Sequence, residues 1–100
     1  MTAMVIGLDP HKASNTIAVL DSDETVQVRR RFENTAEGMV AMLEVVAGFG
    51  DRIWAVEGAN GIGRSIAQRL GVVGETVVDV PAKLATRIRV VFDWSWRQDR

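Results

Sequence analysis

The chain has 100 residues, a formal charge of −1 and no cysteine, with apolar residues making up 47% of it. That length fits one small domain or a fragment of a larger one. The near-neutral charge argues against gripping nucleic acid through net charge alone, the missing cysteine removes any thiolate zinc site, and no run of about 18 apolar residues exists to cross a membrane. A reducing cytosol suits a cysteine-free chain, and the N-terminus lacks a basic stretch followed by an apolar run, so a cytoplasmic location is expected.

The first apolar run, Met4 to Asp9, reads as a strand, and Asn15 to Leu20 reads as a second. Asp21 to Glu24 supplies turn residues. From Thr25 to Phe32 apolar and polar side chains alternate, as in a half-exposed antiparallel strand. The connections are short enough only for hairpins, so these three strands form a meander. Asn34 followed by Glu37 has capping-box spacing, with Met39, Leu43 and Val46 as a helical stripe closed by Gly48 and Gly50. A fourth strand runs from Ile53 to Glu57. A helix with Ile62, Ile66 and Leu70 on one face follows, and Gly71 is its expected C-cap. Thr76 to Val80 reads as a fifth strand. Pro81 then suits the first turn of a helix carrying Leu84, Ile88 and Val91. The order βββαβαβα predicts an α/β domain, a mixed sheet with helices on its faces.

Two strands end in an acid, Asp9 and Glu57. Side chains two apart share a face, so Gly7 lies under Asp9 and Ala55 under Glu57. A helical crossover can bring these strands side by side and parallel, which places both acids beyond the strand ends where open α/β sheets bind ligands. Such carboxylates suit Mg2+, a hard cation taking oxygen ligands. The plainer reading makes Asp9 a turn residue before Pro10 and Glu57 a strand cap. The run Gly58 to Gly63 lacks the order of a phosphate loop and reads as a tight turn clearing space beside Glu57. Lys12, Arg64, Lys83 and Arg87 are candidate phosphate contacts, and a solvated face explains them about as well. His11 could orient a phosphate or water, or simply be exposed. Arg29, Arg30 and Arg31 fall on an expected edge strand, where charge discourages sheet-to-sheet pairing.

The segments Gly7 to Lys12, Arg31 to Thr35, Ala55 to Ala59, Leu70 with the glycine-containing stretch after it, and Val78 to Leu84 occur in this order. Together they resemble the N-terminal catalytic domain of the DEDD transposases of bacterial insertion sequences, a family associated with bridge-RNA-guided recombination. The resemblance spans Met4 to about Asp93. It implies a RuvC-like, ribonuclease-H-type fold and Mg2+-dependent DNA strand cleavage and exchange, with DNA and a guide RNA as partners of the intact protein. It also implies four catalytic, metal-binding acids, of which the first matches Asp9 and the second Glu57.

Where the family continues into a stretch like Thr-Gly-His-Gly-x-Lys-Thr-Asp, this chain reads Trp94-Ser95-Trp96-Arg97-Gln98-Asp99-Arg100. The bases ACT GGT CAT GGC GGC AAG ACC GA encode the family-like stretch up to its acid. In a shifted frame they contain TGG TCA TGG CGG CAA GAC CG, which is Trp-Ser-Trp-Arg-Gln-Asp and the start of Arg. Residues 1–93 are therefore expected to be a partial catalytic domain, with residues 94–100 an aberrant, frameshifted tail. Asp99 is then an accident of frame. Missing two of four acids and the C-terminal part of the fold, the chain is expected to be inactive alone. It is also expected to associate with itself or with a full-length transposase, because Phe92, Trp94 and Trp96 lack evident partners. Two alternatives remain: an actin-like nucleotide-binding fragment, which would share the Gly-x-Asp strand, and a non-enzymatic module that pairs with an intact transposase.

Overall fold

The computed structural model describes residues 3–59 and 61–80. Its elements are β1 (Met4–Pro10), β2 (Ser14–Leu20), β3 (Val26–Glu33), α1 (Ala36–Val46), β4 (Arg52–Glu57), α2 (Arg64–Val72) and β5 (Val77–Val80). They form one five-stranded mixed sheet in the order β3-β2-β1-β4-β5. The meander is as expected, with β1 antiparallel to β2 and β2 antiparallel to β3. β1 then pairs parallel with β4, and β4 parallel with β5. The helix expected from Pro81 onward lies outside the described residues.

The innermost strands carry the least alternation because both of their faces are packed. Ile6, Leu8, Ile17, Val19, Trp54 and Val56 point to one face, and Met42 and Val46 of α1 with Ile66 and Leu70 of α2 close over them in a single core. Trp54 is fully buried and is the largest side chain there. The opposite face carries Gly7, Ala18 and Ala55 in one register row. Ala55 and Val80 form a separate small cluster on that side.

Several boundaries differ from the sequence reading. Thr35, not Asn34, caps α1: its Oγ1 accepts a 3.0 Å hydrogen bond from the Gly38 backbone. The first turn of α1 sits so close to β3 that a Cβ on Gly38 would lie 1.9 Å from the Glu33 carbonyl oxygen, so only glycine fits. The α1 stripe centres on Met42 and Val46, with Met39 and Leu43 at its margins. The helix ends at Ala47 in ordinary right-handed geometry, and neither Gly48 nor Gly50 supplies a left-handed cap. Ile62 precedes α2 and is 73% exposed, so it is not part of that helix's buried face. Gly71 lies within α2, and Gly74, at φ +92°, makes the reversal beyond it.

Candidate metal centre at the ends of two parallel strands

Strand pairing sets the site. In the parallel β1–β4 ladder Gly7 stands beside Ala55 and Leu8 beside Val56, so the next residues on the two strands are Asp9 and Glu57. Adjacent strands lie about 4.8 Å apart, and both acids occupy the face that carries Gly7 and Ala55. Asp9 belongs to the central strand of the five. Both acids are half-buried, above residues too small to rise between them. The sequence expectation that these two carboxylates are neighbours therefore matches the register.

Turn geometry holds each acid in place. After Asp9 the chain reverses through residues 11–13, closed by the His11 backbone N–H donating to the Ser14 carbonyl at 2.8 Å. His11 Nε2 lies 3.1 Å from Asp9 Oδ2. With its proton on Nε2, the imidazole donates to that oxygen and orients the carboxylate. Asn34 clamps the same turn from outside. Its backbone N–H donates to the Ala13 carbonyl at 3.0 Å and its Nδ2 to the Lys12 carbonyl at 3.4 Å. Asn15, buried in β2, reaches the Asn34 Oδ1 at 3.4 Å. Asn34 thus serves the turn beside the acid and leaves the helix cap to Thr35.

Beyond Glu57 the chain turns at Gly58, whose φ of +70° suits glycine. The Gly58 carbonyl accepts from the Gly61 and Gly63 backbone N–H groups at 2.7 and 2.8 Å. Gly63 passes so near β4 that a Cβ would sit 2.7 Å from Val56 Cγ1 and 3.0 Å from the Glu57 carbonyl oxygen. The glycine-rich run is thus a tight turn against the acid-bearing strand, as its composition suggested. Asp79 on β5 fastens it further, accepting from the Ala59 backbone N–H at 3.1 Å. No local sequence signal pointed to Asp79, because its partner is 20 residues earlier and paired only through the sheet.

Lys12 and Arg64 are exposed near the same end of the sheet, Lys12 in the turn after β1 and Arg64 at the start of α2. Lys83, Arg87 and Asp99 lie outside the described residues. A shallow cleft lined by Asn15, Phe32, Asn34, Met39 and Arg69 lies among the α1 and α2 contacts and takes in neither Asp9 nor Glu57. Among the described residues no three His, Cys, Asp or Glu side chains gather where they could hold a metal ion. Two carboxylates side by side fit a hard cation that keeps most of its waters, and they are fewer than a two-metal centre uses.

Comparison with known proteins bears on the fold and the family. Among solved structures, the large terminase nuclease from thermophilic phage G20c is similar, with a TM-score of 0.58 and 15% identity. The likeness covers 83% of this chain and 45% of that one, so the chain spans less than half of the phage protein's length. Identity that low speaks for the fold alone, and the fold is the ribonuclease-H-like mixed sheet expected from the sequence. No curated protein matches the chain. The family model for transposases of the IS110 DEDD type matches residues 6–97, from the first acid-bearing strand onward. The chain belongs to the DEDD transposase family of insertion sequences.

Proposed function

We propose that Asp9 and Glu57 are the first two acids of a nuclease-type catalytic centre, and that the intact protein uses this centre for Mg2+-dependent cleavage and exchange of DNA strands. The observation that carries the reading is the adjacency of the two carboxylates at the carboxyl ends of β1 and β4, above Gly7 and Ala55. Bound Mg2+ would supply Lewis-acid activation of water or hydroxyl and stabilise the leaving oxygen. Asp9 and Glu57 would hold the cation, and His11 would fix the orientation of the Asp9 carboxylate. Lys12 and Arg64, with Lys83 and Arg87, are the proposed phosphate contacts.

DNA and a guide RNA are the proposed partners of the intact protein, and self-association or pairing with a full-length transposase that of this chain. With two carboxylates, the chain alone is expected to bind one cation weakly and to cleave DNA little or not at all. Residues 94–100 belong to the same proposal as a stretch read in a shifted frame. The nucleotide sequence beyond codon 93 tests it, since an absence of Asp codons in the neighbouring frame would remove it.

The direct test of the centre is a Mn2+ titration of the 100-residue chain, followed by electron paramagnetic resonance of the free ion. Saturable binding that disappears in both Asp9→Asn and Glu57→Gln is the expected result. Binding unchanged by either substitution, or none at all, overturns the metal assignment. Robust Mg2+-dependent cleavage by the chain, lost in Asp9→Asn, would instead overturn its inactivity.

A further inference from the structure

The three consecutive arginines of β3 occupy two different environments. Arg30 faces the helix-covered side, with its guanidinium carbon 5.7 Å from the centre of the Phe32 ring. Arg29 and Arg31 alternate to the other face, which the acids share. Pairing fixes where on that face they stand. Arg31 lies opposite Thr16, and Thr16 lies opposite Asp9, so one row crosses three strands from Arg31 to the acid. Glu57 extends this row on the next strand. The row one step inward, Arg29, Ala18, Gly7 and Ala55, is small and buried in its last three members, whereas the acid row stays accessible, with Arg31 exposed and Thr16, Asp9 and Glu57 half-buried. Arg31 is exposed and makes no ion pair among the described residues. The nearest acid along its own strand, Glu33, lies on its outer side, opposite Ser14.

We infer that Arg31 is a phosphate contact for the nucleic-acid strand that reaches the Asp9–Glu57 centre, and that it sets the strand's path across β2 toward β3. The inference rests on the nuclease-type reading of the acid pair. Two adjacent carboxylates repel a polyanion, so a fixed positive charge in the same row offsets part of that repulsion. β3 lies two strand spacings from β1, about 10 Å, which is about three nucleotides of rise along a B-form strand. Arg31 therefore meets a neighbouring phosphate and not the one at the acids. A guanidinium suits that contact because its forked donors match phosphate oxygens. Protection of a sheet edge needs only a charge on either face, and does not require this register.

The experiment measures fluorescence anisotropy of a labelled single-stranded oligonucleotide and of the matching duplex with the 100-residue chain, in Mg2+ and across a salt series. Arg31→Gln is expected to weaken binding about three- to tenfold and to lower the slope of log affinity against log salt by about one. Arg30→Gln, on the other face, should stay within about twofold of the parent, and Arg31→Lys should keep the slope while losing part of the affinity. Matched melting curves by circular dichroism establish that each variant is folded. Arg31→Gln binding as tightly as the parent, with the same salt slope, overturns the inference. So does a parent chain that binds neither oligonucleotide. The acid-pair reading is judged separately by the Mn2+ titration, which contains no nucleic acid.

Discussion

At the amino end of β4, Arg52 meets Glu75 as an opposite charge, whereas at its carboxyl end Glu57 stands beside Asp9 with the same charge. The first pairing is bidentate, Nε to Oε1 at 2.7 Å and Nη2 to Oε2 at 2.8 Å. The fully buried Trp54 adds its indole N–H to the same carboxylate at 2.7 Å, and Arg52 donates onward to the Phe49 carbonyl at 2.8 Å. Hydrogen bonds from Arg52, reinforced by that from Trp54, hold the Glu75 carboxyl below its ordinary pKa against the opposing effect of burial. The same bond to Glu75 raises Arg52. Such a network satisfies itself and locks the start of the parallel ladder. Asp9 and Glu57, by contrast, are acids of like sign on adjacent strands, which is the arrangement the proposed cation site would use.

The contrast can be broken most severely at Trp54. Trp54→Ala removes the largest core side chain together with one donor to Glu75, and should cost about 3–5 kcal/mol. In a domain this small that is a large fraction of the total stability, as circular dichroism or denaturant melts would show.

Glu75→Gln is the next largest perturbation, at about 2 kcal/mol near neutral pH, because it weakens charge-assisted hydrogen bonds and leaves a partly buried guanidinium poorly matched. Its pH dependence has a definite sign. A depressed carboxyl pKa contributes stability above the unfolded-state value, near 4.5, and that stability is lost as pH falls through the lower folded-state value. The parent should therefore lose stability below about pH 4.5, where the gap to Glu75→Gln narrows. A gap that stays constant from pH 7 to pH 3 would contradict the network's role.

Asp9→Asn and Glu57→Gln complete the comparison with the smallest expected effect on folding. Each replaces a half-buried acid with its near-isosteric amide and should shift stability by less than about 1 kcal/mol, in either direction. A loss several times larger in thermal melts would make these acids structural residues.

Much of this was legible because the relevant signals are short-ranged. Alternation and apolar runs located the strands, and the hairpin-length links before Asn15 and Thr25 left a meander as the only simple connection. The pairing of Asp9 with Glu57 followed from two short apolar strands ending in acids and joined by a crossover. What stayed hidden depends on packing between distant segments. Arg52 and Glu75 are 23 residues apart and carry no mutual signature. Asn34 and Thr35 are both good cap residues, and the choice between them was settled by the turn at Lys12 and Ala13, which draws Asn34 away. Gly71 looked like a helix stop by composition, but the left-handed residue is Gly74, three residues on. Ile62 fits the helical period on paper. It falls outside because the Gly58 turn delays the start of α2 to Arg64.

The clamp by Asn34 also bears on the order in which the chain can assemble. Residues 4–46 hold β1, β2, β3 and α1 in sequence-adjacent pairings, and Asn34 joins the last of these to the turn that follows Asp9. Contacts of low sequence separation close with little entropic penalty and form early. Glu57 reaches its place only when β4 inserts alongside β1, a pairing that spans 48 residues at the Gly7–Ala55 step. Asp79 fastens the loop after Glu57 only once β5 has added to the sheet. A chain emerging from the ribosome would thus shape the surroundings of the first acid while the second was still unplaced. Pulse-labelled hydrogen exchange should find protection of the β1–β2 and β2–β3 amides ahead of those between β4 and β5.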